Sequence, residues 1–208
     1  MRALSLDKPA GFFGGRRRNS PSEIIESPLL GKVLRGFEGD ECLHILDVGI
    51  GAVDTLKFLQ QYRGKVYFLD LAEGFTDSTE PRIRTTLSEY SGELFDICLF
   101  WDLLHCLSAA QLVVLSDALE PYIYSETRVH TLANLVDLGE HYCVRGANQL
   151  SPIRGRGRGK AGGQSTDYAT RSITELDEHF SCFQLTTDEY HADGRLEMVL
   201  ETRGRNKP

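Results

Sequence analysis

Residues 43–51 constrain the fold of this chain more than any other segment. Residues 43–48 (LHILDV) are a short apolar run typical of a buried strand, and the run leads into Asp47, Gly49 and Gly51. An amphipathic helix is predicted directly afterwards, at residues 53–62. Glycines at such a turn let the backbone bend tightly and approach a bound nucleoside, and the carboxylate can hold a cationic group. An ordinary tight turn has the same residues, so the neighbouring segments must decide.

Strands and helices alternate along the rest of the chain. Further strands are predicted at residues 66–71, 82–86, 95–101, within 122–134, at 183–190 and at 196–202. Helices are predicted at residues 20–35, 108–119 and 172–179, each starting at a capping box: Ser20 with Glu23, Ser108 with Gln111, and Ser172 with Glu175. The last two strands meet at Ala192-Asp193-Gly194, which is a hairpin signal. This order predicts an α/β fold: a Rossmann-like, mostly parallel seven-stranded sheet with helices on both faces and a C-terminal antiparallel hairpin. Residues 137–167 predict no regular structure.

The chain of 208 residues is long enough for one domain, predicted at residues 20–203. Residues 1–19 are expected to form a flexible basic arm, residues 153–165 a loop rich in glycine and arginine, and residues 204–208 a tail. The sequence has no apolar run of membrane-spanning length and no secretory signal pattern, so a cytoplasmic protein without membrane attachment is expected. The odd number and wide spacing of the five cysteines disfavour a disulfide framework and a metal site: Cys42, Cys98, Cys106, Cys143 and Cys182.

A second acid, Asp70, follows the second predicted strand. It lies 23 positions after Asp47, where a carboxylate is placed to accept hydrogen bonds from both hydroxyls of a ribose. The alternative is a carboxylate that only caps a helix or lies in a loop. Because strand, turn, helix, strand and acid occur in the order expected for a nucleoside site, we favour ribose binding.

Residues 43–71 resemble motifs I and II of the class I S-adenosylmethionine-dependent methyltransferases. Residues 95–107 (FDICLFWDLLHCL) resemble the fourth motif of the small-molecule branch of that family, and the motif-level resemblance covers about residues 40–135. It implies that S-adenosylmethionine is the cofactor and that Asp47, Gly49, Gly51 and Asp70 contact it. It also places three residues at the mouth of the pocket: Trp101, Asp102 and His105.

The chain departs from the family pattern at two positions. The third glycine of motif I is replaced by Val53, and no acid stands near Leu87, where one usually meets the adenine; Glu89 is the nearest candidate. If a general base is needed, His105 is the best candidate by position, although a histidine that merely packs after the strand explains it as well. Trp101 could stack on adenine or a substrate, or could simply fill the sheet edge.

Basic residues are concentrated in segments predicted to be flexible, whereas the whole chain has a net charge of −7. Arginines separated by glycines can follow a phosphate backbone, so the basic segments could bind RNA or a protein partner, or could simply remain solvated. The arginines concerned are Arg16, Arg17, Arg18, Arg154, Arg156 and Arg158. The leading hypothesis is methyl transfer to an unidentified acceptor. The alternatives are a catalytically inactive, methyltransferase-like binding or scaffold subunit, and a nicotinamide-dependent oxidoreductase, which would lack the terminal hairpin.

Overall fold

The structure, a computed structural model, describes residues 4–5, 24–35, 37, 42–49, 51–71, 79–134, 142–146, 148–152, 172–192 and 194–203. The six arginines of the predicted basic segments, the loop at 153–165, the tail at 204–208 and the capping box of Ser20 with Glu23 lie outside these residues. Their proposed roles therefore stay predictions.

Strands and helices alternate through the described residues. The strands are β1 (Leu4–Ser5), β2 (Ile25–Glu26), β3 (Leu43–Asp47), β4 (Gly64–Phe68), β5 (Ile97–Trp101), β6 (Arg128–Asn134), β7 (Tyr142–Gly146), β8 (Gln149–Pro152), β9 (Phe183–Tyr190) and β10 (Arg195–Thr202). The helices are α1 (Pro28–Leu34), α2 (Val53–Leu59), α3 (Thr79–Ser88), α4 (Ala109–Leu119) and α5 (Ile173–His179). The capping boxes at Ser108 and Ser172 are both present, as predicted. None of the described helices has the length and apolar character needed to cross a lipid bilayer.

The large sheet is mixed. Its seven strands lie in the order β1-β4-β3-β5-β6-β10-β9. The four central strands β4, β3, β5 and β6 are parallel, whereas β1 pairs antiparallel with β4, β10 with β6, and β9 with β10. The described part of the sheet is therefore not mostly parallel. The chain passes from β3 to β4 on one side and later returns to β5 on the other side, which makes β3 the topological switch point.

Residues 82–86 are not a strand, as the sequence predicts, but part of helix α3. Their alternation of polar and apolar residues imitates the period of a strand. Ile83 and Leu87, four positions apart, are both buried against the core, which is the spacing of one helix face. Because no strand follows β4 at this edge, β1 pairs there, with Leu4 opposite Val66. An uncovered edge leaves backbone hydrogen-bonding groups without partners, so two residues of the predicted flexible arm form a strand instead.

A second sheet, in the order β2-β8-β7, lies where the sequence predicts a helix start and an irregular segment. Ile25 is opposite Leu150, so the small sheet joins parts of the chain that are far apart in sequence. The prediction of a helix from residue 20 is therefore wrong at residues 25–26. Helix α1 begins at Pro28 because proline suits a first helical turn and disfavours a helical conformation in the preceding residue, Ser27.

The two faces of the large sheet have separate apolar cores. Helices α3, α4 and α5 cover one face, with buried residues that include Leu46, Ile83, Phe100, Leu112, Leu176 and Phe180. Helices α1 and α2 and the small sheet cover the other face, with buried residues that include Leu29, Ile45, Leu59, Leu99, Trp101 and Val144. Successive residues of a strand point to opposite faces, and β5 follows this rule: Phe100 belongs to the first core, Leu99 and Trp101 to the second. The side chains discussed next lie on this second face.

Candidate functional site

The turn after β3 lies at the carboxyl ends of the central strands. Backbone hydrogen bonds fix it on both sides: Leu69 N donates to the carbonyl oxygen of Asp47 at 3.0 Å, and Val48 N donates to that of Leu99 at 2.9 Å. These bonds connect β3 to both of its parallel neighbours. In open α/β sheets, ligands bind in the crevice outside the carboxyl ends of the strands at a topological switch point. The predicted turn residues are therefore at the place where this fold binds ligands.

Two glycines let the backbone of this turn run close to neighbouring side chains. Gly51 has φ of +65°, in the left-handed region, and an added Cβ would lie 3.2 Å from the Phe68 ring. An added Cβ on Gly49 would lie 3.0 Å from Asp47 Oδ1 and 3.0 Å from the Trp101 indole. Both positions thus require glycine in this conformation, one for its backbone angle and one for its lack of a side chain.

The carboxylate of Asp47 is buried, with 2% of the residue exposed. Its Oδ1 accepts a hydrogen bond from Trp101 Nε1 at 2.7 Å. Burial raises the pKa of Asp47 to about 6, although the Trp101 hydrogen bond alone would lower it. Among the described residues no cationic side chain forms an ion pair with Asp47. This is a buried anionic site that a cation would neutralise.

Trp101 closes the space beside this turn. It is 2% exposed, and its φ of +50° places it in the left-handed region, which bulky residues rarely adopt. The pairing of β5 with β6 shifts register between Leu99 and Trp101, and Thr131 Oγ1 donates to the carbonyl oxygen of Trp101 at 2.6 Å. On its other side, the indole meets the His130 ring edge to face, with centroids 6.3 Å apart. The indole is thus held between the Asp47 turn and β6.

The other predicted site residues are divided between the two ends of the sheet. Asp70 follows β4 by two residues and is half-buried. Asp102 and His105 are both buried, in the turn and short 3₁₀ segment after β5. Glu89, in contrast, follows α3 and is exposed. The nearby Glu93 carboxylate reaches Lys65 at the first turn of β4, 3.1 Å away, so the chain here is at the amino ends of the strands. The structure therefore does not bring Glu89 to the turn, because the segment predicted as a third strand is a helix that leads away from it.

A buried polar cluster that the sequence analysis missed lies farther along the same face. Glu197 Oε1 accepts hydrogen bonds from Ser27 Oγ at 2.5 Å and from the Leu30 backbone N at 3.0 Å, and it lies 2.7 Å from His130 Nε2. Its second oxygen lies 3.2 Å from His191 Nε2. Burial alone would raise the pKa of Glu197, but hydrogen bonding and charge interaction with His130, together with Ser27, lower it to about 2. Glu197 therefore stays ionised and takes over the helix-capping role at α1, where the Ser27 side chain caps nothing.

The hydrogen-bonding state of His130 follows from this pair. An ionised carboxylate only accepts, so His130 Nε2 must carry the proton that it shares with Glu197. His130 Nδ1 is buried and has no partner within the described residues. A sequence signal was available: a glutamate within the apolar run LEMVL of β10 predicts a buried partner, because an unpaired buried charge is costly.

These residues fit the amino-acid and ribose portions of S-adenosylmethionine in chemical type. The buried carboxylate of Asp47 suits an ammonium group, Gly49 and Gly51 allow close backbone approach, and Asp70 offers acceptors for ribose hydroxyls. Among the described residues, no group of three or more His, Cys, Asp or Glu is arranged to hold a metal ion. The two cavities formed by described residues, of about 110 and 350 Å³, include no residue of the turn. The larger is lined in part by Arg128 and Glu201, at the amino end of β6.

Comparisons with known proteins add similar solved structures only. No protein-family model matches the chain, and no curated protein is similar to it in sequence. A structure described as a type 11 methyltransferase from Sulfolobus solfataricus is 14% identical, with a TM-score of 0.49 over 88% of this chain and 96% of that one. The 1,6-didemethyltoxoflavin-N1-methyltransferase of Burkholderia thailandensis, solved with bound S-adenosylhomocysteine, is 18% identical, with a TM-score of 0.47 over 85% of this chain and 77% of that one. The PH0226 protein of Pyrococcus horikoshii is 12% identical, with a TM-score of 0.46 over 85% and 87%. The first two are methyltransferases by description, but at these identities and TM-scores the roles of individual residues must be argued from this chain itself.

Proposed function

We propose that the chain is an S-adenosylmethionine-dependent methyltransferase that acts on a small-molecule acceptor. The cofactor supplies a methyl group on a positively charged sulfur, and transfer requires little beyond placing a nucleophile in line with it. The proposal rests on the residues at the carboxyl ends of β3, β4 and β5. The identity of the acceptor does not enter it.

The observation that carries the proposal is the buried carboxylate of Asp47 at the topological switch point. Keeping it ionised in the folded protein costs free energy, which is why burial raises its pKa. A carboxylate that served only stability would have a cationic partner, and no described residue supplies one. A ligand with an ammonium group would remove this cost, and S-adenosylmethionine has one.

The remaining residues have separate roles in this proposal. Gly49 and Gly51 bring the backbone close to the ligand, and Asp70 accepts hydrogen bonds from the ribose hydroxyls. Val53, at the first position of α2, is 38% exposed and is a surface for the methionine portion. For an acceptor that must lose a proton, His105 is the proposed base, and Asp102 lies in the turn that leads to it.

Calorimetric titration with S-adenosylmethionine and S-adenosylhomocysteine tests the proposal. Binding should also raise the free energy of unfolding, by about 2.7 kcal/mol when the free ligand is at a hundred times its dissociation constant. Asp70→Asn should lose affinity while the fold persists, and Asp188→Asn, which removes an exposed carboxylate of β9, should bind like the wild type. Absence of heat and of stabilisation with both ligands at millimolar concentration would refute the proposal.

A further inference from the structure

Trp101 contacts the same atoms that the proposed site offers to the ligand. Its indole N–H donates to Asp47 Oδ1 at 2.7 Å, and its ring atoms Cδ1 and Nε1 would lie 3.0 Å from a Cβ on Gly49. The space in front of Gly49 and Asp47 is therefore filled by the side chain of the protein itself. A ligand ammonium cannot reach this carboxylate oxygen while the indole remains there.

The backbone and the side chain of Trp101 are held in different ways. Thr131 fixes the carbonyl oxygen, and the register shift of β5 accommodates the extra length of chain. The side chain, in contrast, has one polar contact, with Asp47, and a ring contact with His130. The φ of +50° is sparsely populated for a bulky residue, and such conformations persist only where the surrounding contacts hold them. Replacing the Asp47 contact would remove one of the restraints that keep Trp101 in this conformation.

We propose that Trp101 is an internal competitor of the cofactor: its indole N–H occupies the place at Asp47 that the ammonium of S-adenosylmethionine takes, and binding displaces the indole from Gly49. This inference rests on the proposed function, and it assigns Trp101 a role opposite to that of a stacking platform. A platform would strengthen binding, whereas a competitor weakens it. Trp101 thus sets how tightly the cofactor binds.

The chain contains a single tryptophan, so its intrinsic fluorescence reports on this residue alone. In the free protein the indole is 2% exposed, and its emission should resist quenching by acrylamide. Titration with S-adenosylhomocysteine should shift the emission to longer wavelength and increase quenching, as the displaced indole meets solvent. A ligand that stacks on Trp101 would decrease quenching or leave it unchanged, and that result would overturn the inference.

Affinity measurements on two variants provide the second test. Trp101→Phe keeps an aromatic ring but removes the N–H donor, and Trp101→Ala removes the whole side chain. We expect S-adenosylhomocysteine to bind more tightly in the order wild type, Trp101→Phe, Trp101→Ala, with about tenfold between the first and last if the lost competition is that of one hydrogen bond to a charged group. Weaker binding by folded Trp101→Phe would overturn the inference. The fluorescence test on the wild type decides the matter if Trp101→Ala does not fold.

The two proposals fail in distinguishable ways. If neither the wild type nor the variants bind S-adenosylhomocysteine, the proposed function fails and the competitor role falls with it. If the wild type binds with no change in Trp101 emission or quenching, and Trp101→Phe binds no more tightly, the cofactor site stands and only the competitor role is refuted.

Discussion

Replacing Asp47 with asparagine should stabilise the protein at neutral pH while removing its cofactor affinity. Asparagine keeps an oxygen that can accept the Trp101 hydrogen bond but carries no charge. The folded protein holds the pKa of Asp47 at about 6, above its ordinary value of 3.8, so the folded state binds a proton more tightly than the unfolded state. The contribution of Asp47 to stability is therefore fully present below pH 3.8 and is lost as the pH rises through 6.

The size of this effect follows from the two pKa values. Ionising Asp47 in the folded state instead of the unfolded state costs about 3 kcal/mol in the limit of high pH. Part of that cost is already present at pH 4.5, so the advantage of Asp47→Asn over the wild type should be about 2 kcal/mol greater at pH 7.5 than at pH 4.5. The comparison between the two pH values cancels any packing difference between the aspartate and the asparagine.

Urea unfolding of both proteins at the two pH values measures this difference. Asp188→Asn serves as the matched control, because it removes one exposed carboxylate of β9 and changes the net charge equally. The reasoning is refuted if the difference between Asp47→Asn and the wild type does not change with pH, or if it changes in the opposite direction. A parallel titration should show that Asp47→Asn binds S-adenosylhomocysteine more weakly than the wild type at pH 7.5, despite its greater stability.

Three further variants test other parts of the site. Gly51→Ala should lower the free energy of unfolding by roughly 1–3 kcal/mol, because alanine is strained at φ of +65° and its Cβ would press on Phe68; a thermal melt that matches the wild type would contradict this. Glu197→Gln should cost about 3 kcal/mol at pH 7, because the pKa of Glu197 falls from 4.5 to about 2 on folding. That contribution is present above pH 4.5 and is lost as the pH falls through 2, so acid unfolding curves of wild type and variant should converge; a constant gap would exclude the ionised Glu197. Asp70→Asn should weaken S-adenosylhomocysteine binding by about tenfold, measured by calorimetry, because its amide group replaces an oxygen that accepts from the ribose; unchanged affinity would remove Asp70 from the site.

Local signals in the sequence predicted the elements that depend on local contacts. Helices α4 and α5 begin where their capping boxes predict, because Ser108 and Ser172 each bond within one turn of their own helix. Strand β3 and the turn after it were also predictable, since an apolar run followed by glycines has few other conformations. The misassigned segment at residues 82–86 shows the limit: its polar and apolar residues alternate over five positions, and only burial of Ile83 and Leu87 together identifies a helix.

Contacts between distant parts of the chain were not predictable in the same way. The small sheet depends on Ile25 meeting Leu150, and neither residue carries a signal of the other. At the site, Asp47 and Gly51 were identified because they adjoin one strand, but the contact of Asp47 with Trp101 spans 54 positions and depends on β3 and β5 being neighbours. The pairing of His130 with Glu197 likewise requires β6 and β10 to lie side by side. Strand order, which local sequence does not specify, decides which side chains meet.

A crystal structure of the chain with S-adenosylhomocysteine would test the central claim most directly. We expect ligand density at the carboxyl ends of β3 and β4, with the ribose hydroxyls on Asp70, the ammonium on Asp47, and the Trp101 indole displaced from Gly49. Density for the ligand anywhere else, such as the cavity lined by Arg128 and Glu201, or an unchanged contact between Trp101 and Asp47 with no ligand at the turn, would contradict the account.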